Sequence, residues 1–171
     1  FLLIISFICF CKNRLIKFID TITNDATRST IDLNEIAIQC YFHPETQART
    51  SIKKVLPAVL KTSKLLKEEY SKPIGNNSSS LNFPETFVWF QESDGEVTDP
   101  YELLKRHLFN LFGKKTSNLS KDNLLIADGG MAALAYARLQ FENMDQAERT
   151  NIKNALLRYC ELDTLAMVMI L

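Results

Sequence analysis

Apolar positions recur at helical spacing near the start of the chain and again, more regularly, over its last third, with an irregular polar stretch between them. Leu15, Ile16, Phe18, Ile19 and Ile22 place one face of a short amphipathic helix over Asn13–Ile22, and Asn24-Asp25 supplies a turn after it. Ser29 to Leu33 (STIDL) reads as a brief strand whose polar exit, Asp32, can cap the next helix, on which Leu33, Ile36, Ala37 and Cys40 share a face. A strand feeding a helix is the unit from which α/β domains are built. Tyr41-Phe42-His43-Pro44 ends that helix, because proline pushes its predecessor out of the α region. Ser51 then reads as the N-cap of a helix over Ile52–Leu60, basic on one side through Lys53 and Lys54 and interrupted by Pro57.

Composition changes at Lys72. Pro73, Pro84, Pro100 and the polar run Asn76–Ser80 are loop chemistry, and residues from about 72 to 127 are expected to form an insertion on a more regular scaffold. Within it Thr86–Phe90 (TFVWF) predicts a strand or hairpin arm, Asp94-Gly95 a tight turn, and Pro100–Phe112 a helix with proline in its first turn. The final third is more regular. Asp128-Gly129-Gly130 opens a helix to about Asn143, and Asp145-Gln146-Ala147-Glu148 has the capping-box pattern. Ile152, Leu156, Leu157 and Cys160 follow at helical steps, and that helix, or a kinked continuation, carries the tail from Tyr159 to Val168.

Phe1–Cys11 (FLLIISFICFC) is the one segment that invites a membrane or signal-peptide reading, but eleven residues fall well short of the roughly 20 that span a bilayer as a helix. Its Ile and Phe content favours a buried strand. Residues 1–12 are therefore set apart as an apolar N-terminal segment, truncated or joined from elsewhere. The abrupt ends, Phe first and an uncapped apolar run last, read as a piece of a longer chain. Of 171 residues 46% are hydrophobic and 23% charged, enough for one globular domain with a core. Twenty basic residues balance twenty acidic ones, so any surface that attracts nucleic acid has to be local. Four irregularly spaced cysteines, Cys9, Cys11, Cys40 and Cys160, form neither a disulfide framework nor a C-x-x-C zinc pair, which points to a reducing, cytoplasmic setting.

Tyr159 and Asp163 stand four apart on a predicted helix, so both side chains leave one face and can reach one reacting centre. Hydrolysis of a phosphodiester with two metal ions needs carboxylates to hold the ions and a polar group to orient the attacking water. Asp163 and Tyr159 are one of each. The pattern Tyr-x-x-x-Asp resembles the third exonuclease motif of DEDD enzymes in their tyrosine form. Four longer strings, IDLNEIAIQCYFHP, SIKKVLPAVL, IADGGMAALAY and ALLRYCELDTLAMVMI, occur in the order that resembles a bacterial family, domain of unknown function 2779, related to RNase H-like exonucleases. The resemblance spans roughly Asn13–Leu171.

That resemblance implies an α/β fold, here an incomplete RNase H-like domain whose fragment is mainly helical with few short strands. It implies a metal-dependent 3′-to-5′ nuclease acting on DNA or RNA with Mg²⁺ or Mn²⁺, in which Asp163 is a metal ligand and Tyr159 positions the water. The Asp-x-Glu on the first strand and the further aspartate that such enzymes also need find no convincing match in the chain, so both are expected in the remaining N-terminal part of the same protein. One carboxylate cannot hold two divalent ions against water, so these residues alone are expected to be inactive. Lys53 and Lys54 are candidates for phosphate contact, with a solvated helix face as the commoner meaning of two lysines. Asp32 and Asp128 are read as caps, Glu161 as solvated, and His43 and His107 as lacking partners at metal-ligand spacing. Trp89, Phe87 and Phe90 could stack bases, but burial in a core is the commoner use. The competing reading is a catalytically silent helical interaction or scaffold module.

Overall fold

The computed structural model describes residues 2–23, 31–77, 80–112, 126 and 128–171, with residues 2–12 and 77 described through the backbone only. The chain divides into two units, Phe1–Cys40 and Tyr41–Leu171.

In the first unit, α1 runs over Leu2–Thr23 and α2 over Leu33–Cys40. Of the strand expected over Phe1–Cys11, Phe1 lies outside the described residues and Leu2–Cys11 is instead helical, continuous with the predicted Asn13–Ile22 element. No glycine, proline or turn pair separates the two stretches, and once a helix is nucleated each further residue adds a hydrogen bond. β-propensity in a short apolar run does not outweigh that continuity. Among the described residues no helix is long and apolar enough to cross a membrane. Of the brief strand expected over Ser29–Leu33, the first two residues lie outside the described ones, Ile31 and Asp32 are irregular, and Leu33 already opens α2. Asp32 does cap α2, its Oδ1 accepting the Asn34 N–H at 2.8 Å.

The second unit begins with a 3-10 turn over Pro44–Thr46, capped by His43, whose Nδ1 accepts the Glu45 N–H at 3.2 Å. Helix α3 spans Ile52–Thr62 and α4 Lys64–Tyr70. Ser51 occupies the N-cap position of α3 without its hydroxyl capping the helix, and α3 runs through Pro57 rather than breaking there. The stop comes at Ser63, whose hydroxyl caps α4 by accepting the Leu66 N–H. A single-turn helix α5, Ile74–Asn77, is pinned by backbone bonds from the Ile74 and Gly75 N–H groups to Phe87 and Glu85. A Cβ at Gly75 would stand 2.8 Å from that of Glu85, so the close approach requires glycine.

The stretch predicted as a strand at Thr86–Phe90 is irregular. Its aromatic residues turn inward instead of alternating along a ladder, and Phe83, Phe87 and Trp89 lie with ring centroids 4.7 Å apart in each pairing. Trp89 and Phe90 are buried, so neither is free to stack bases. The predicted Asp94-Gly95 turn does join a hairpin, β1 (Glu92–Ser93) and β2 (Glu96–Val97), paired antiparallel as Glu92↔Val97 and Ser93↔Glu96. Positive φ at both turn residues, 54° and 79°, is what a two-residue hairpin demands. This is the one sheet among the described residues, and the fold is mainly helical.

Three helices complete the unit: α6 (Pro100–Phe112), α7 (Gly129–Phe141) and α8 (Gln146–Ile170). Asp128 caps α7 through the Met131 N–H at 2.8 Å, and Asp145 caps α8 through the Glu148 N–H at 2.7 Å. Glu148, the far member of the expected capping box, takes Arg138 of α7 at 2.9 Å. Helix α8 is unbroken where a kink was allowed for, and it packs against α3, α6 and α7. Its inward stripe is Ile152, Ala155, Tyr159, Leu162, Ala166 and Met169, which meets Leu56, Leu60, Leu104 and Leu108 in one core. Leu162 is fully buried there, so Leu162→Ala is expected to lose about 2–5 kcal/mol of unfolding free energy. Urea unfolding should show the loss as a lower midpoint at unchanged slope.

Candidate functional site

Four side chains from three helices converge at the middle of α8. The backbone sets them up locally. Asp99 stands just before α6, where its carboxylate accepts the Tyr101 N–H at 2.9 Å and its carbonyl accepts the N–H groups of Glu102 and Leu103. With Pro100 fixing the first helical residue, Tyr101 leaves the first turn of α6 pointing inward and is 3% exposed. Its hydroxyl donates to Asp163 Oδ1 at 2.7 Å. Tyr159, one turn before Asp163 on α8, is also buried, and its ring lies 6.3 Å from that of Tyr101 at an angle of 53°. Lys53 of α3 is half-buried, with its Nζ 4.9 Å from the Tyr101 ring centroid and 5.8 Å from that of Tyr159. Such contacts favour a desolvated ammonium over an aromatic face.

Both phenols are held in their neutral form. Burial pushes Tyr159 up to about 12, reinforced by the charge and hydrogen bonding of Asp163 and, more weakly, by the charge of Asp128. Burial raises Tyr101 further still, followed by its bond to Asp163 and the charges around it. Asp99 is raised by burial and by Glu102, against the Tyr101 N–H and the charges of Lys53 and Lys54. At physiological pH both phenols therefore keep their protons. Both hydroxyls are turned to Asp163, and neither is a base.

The sequence-predicted pair is thus brought together. Tyr159 and Asp163 share one face of a continuous helix, and Asp163, half-buried inside α8, is not a helix cap. Lys53 joins them, whereas Lys54 is exposed and faces Asp99. The residue that sequence reasoning missed is Tyr101. The helix start at Pro100 was legible, but a hydrogen bond spanning 62 positions leaves no trace in local spacing. Glu161, expected to be solvated, is half-buried and accepts from Asn82 Nδ2 at 2.6 Å, which ties α8 to the loop after α5. His107 sits 5.3 Å from the Phe83 ring and 5.1 Å from that of Phe87, and burial followed by the charge of Arg158 lowers its pKa. It is a core imidazole.

Among the described residues no three His, Cys, Asp or Glu side chains converge closely enough to hold a metal ion. The carboxylate present also has one oxygen engaged by Tyr101 and lies in a cluster with an ammonium. These residues by themselves do not fit a two-ion site.

Comparison with known proteins adds no relative: no family model, no curated protein and no solved structure matches the chain.

Two measurements check the geometry. Tyr101→Phe removes a hydrogen bond to a charged group and should cost about 1.5–3 kcal/mol in urea unfolding. For the phenols the linkage is fixed in sign. The folded pKa of Tyr159 is raised from 10.0 to about 12, so the stability it contributes is complete below pH 10 and is lost as pH rises from there toward 12. The difference in unfolding free energy between the wild type and Tyr159→Phe should therefore shrink across that interval, and a constant difference would contradict the placement.

Proposed function

We propose that this chain is the C-terminal part of a metal-dependent nuclease domain of the RNase H-like, DEDD kind, in which Tyr159 and Asp163 belong to the active centre. The observation that carries the reading is their joint placement: a protonated phenol and a half-buried carboxylate, one turn apart on an unbroken helix. In this reading Tyr159 donates a hydrogen bond to the attacking water or to a phosphate oxygen. Asp163 supplies one oxygen ligand to Mg²⁺ or Mn²⁺, and the other carboxylates come from the part of the protein outside these 171 residues. The described residues do not make that ion site alone, and the isolated chain is expected to be inactive. Lys53, beside both rings, adds positive charge where an anionic strand would have to approach.

The mainly helical fold suits the C-terminal share of such a domain, which contributes helices rather than the central sheet. The four sequence blocks that resemble the bacterial family lie largely on α2, α3, α7 and α8. In the intact protein Asp163→Ala should reduce Mg²⁺- or Mn²⁺-dependent release of nucleotides from a 3′-labelled oligonucleotide by a factor of about 10³ or more, as expected when a group acting in the transition state is lost. Circular dichroism and the urea midpoint report whether the fold survives the change. Unchanged activity in a folded Asp163→Ala protein rejects the assignment and leaves the scaffold reading in its place.

A further inference from the structure

His107 lies on α6 with its ring centroid 5.3 Å from that of Phe83 and 5.1 Å from that of Phe87. Those two rings and Trp89 stand 4.7 Å apart in each pairing, so the imidazole closes one side of an aromatic cluster. Its Nε2 is buried and has no hydrogen-bond partner among the described residues. The Arg158 guanidinium of α8 reaches the same Phe83 ring, with its Cζ 5.8 Å from the centroid. A proton on His107 would therefore put a second cation against a ring that already holds one, and would bury an N–H without an acceptor. Burial, followed by the charge of Arg158, accordingly lowers the His107 pKa. The neighbouring charges are engaged or exposed. Glu161 acts on Arg158 and accepts from Asn82 at 2.6 Å, Lys105 bonds Glu102, and Arg106 and Glu85 are exposed.

We propose that His107 is an acid-sensitive latch: neutral, it holds the aromatic segment 83–90 against α6, and on taking up a proton it lets that segment lift while the helices stay packed. The segment's backbone bonds to Ile74 and Gly75 of α5 serve as the hinge, and the bond from the Phe90 N–H to the Tyr70 carbonyl is the one that opens. The helices have separate ties, since fully buried Leu104 and Leu108 and the Tyr101 bond to Asp163 keep α6 in place. With α8 the segment also walls a groove of about 530 Å³, lined by Ile74, Asn82, Trp89, Leu157, Leu165 and Val168, so its lifting opens that groove from one side. The sign follows from the two protonation equilibria. In the lifted form His107 is hydrated and titrates near its ordinary value of about 6.5, whereas in the closed form its pKa is lower. Closure is therefore complete above about pH 6.5 and weakens as pH falls from there toward the closed-form value, by up to about tenfold per pH unit for one proton.

The test is hydrogen exchange on the full chain between about pH 7.5 and 5.5, each rate divided by its intrinsic value to give an opening constant. The Phe90 amide and the indole N–H of Trp89, the one tryptophan of the chain, report the segment, and the Leu162 amide reports α8. The segment should open at least about tenfold more readily than Leu162 at every pH, and its opening constant should rise by up to about tenfold per unit below about pH 6.5. His107→Phe keeps a ring and takes no proton. In that variant the rise should vanish, which also separates His107 from His43, the other histidine. Equal opening constants for the segment and Leu162 mean global unfolding alone and overturn the latch. So does a segment whose opening ignores pH in the wild type, or rises as much in His107→Phe. Should His107→Phe fail to fold, the wild-type imidazole followed by NMR takes its place. A titration midpoint below about 6.5 is then expected, and a midpoint at or above it overturns the proposal.

Discussion

The buried stripe of α8 is the constraint on which the second unit of this molecule depends. Ile152, Ala155, Tyr159, Leu162, Ala166 and Met169 recur every three or four residues and face the core without a break. Fully burying a large apolar side chain contributes about 1.5–3 kcal/mol, and α8 presents several in one line to α3, α6 and α7. Because one member of the stripe is a tyrosine, the packing that stabilises the unit also fixes the phenol. Asp163 stands one turn further on, at the edge of the stripe. There it is buried enough to be held by Tyr101 and exposed enough to meet another group. Stability and candidate chemistry are thus properties of the same helix face.

A hydrogen bond from a buried phenol to a carboxylate has two consequences at such a place. It satisfies an acceptor that would otherwise lose water for nothing, and it ties the first turn of α6 to the middle of α8. It also orients the carboxylate. Tyr101 and Tyr159 both turn their hydroxyls to Asp163, so the two phenols together set where that carboxyl group points. A scaffold would need only the first consequence. The second gains significance from the ammonium of Lys53 over both rings, which an α6–α8 tie does not require.

Local chemistry was legible in the sequence wherever the deciding contacts are local. Pro100–Phe112 is a helix over the predicted span, Asp128 and Asp145 cap as expected, and Asp94-Gly95 turns a hairpin. In each case a residue's own torsion preference or its reach to a backbone group two or three positions away settles the outcome. Apolar runs without period misled. Phe1–Cys11 and Thr86–Phe90 both resembled strands, but from Leu2 on the first extends a helix and the second folds its aromatic rings onto Phe83 and His107. The candidate site divides along the same line. Tyr159 and Asp163 were visible because a helical turn relates them, while Tyr101 and the aromatic contacts of Lys53 depend on how three helices pack. Proline at 57 was expected to interrupt α3, yet packing carries the helix through it.

The central claim is that Tyr159 and Asp163 look into one ligand-binding space and do more than join helices. The most direct measurement is a crystal structure of the intact protein with a non-hydrolysable phosphorothioate oligonucleotide and Mn²⁺. The account predicts a phosphate oxygen or a metal-bound water within hydrogen-bonding distance of the Tyr159 hydroxyl, and an ion on the Asp163 oxygen that Tyr101 leaves open. A strand bound elsewhere, with Asp163 held by the tyrosines alone, would contradict it.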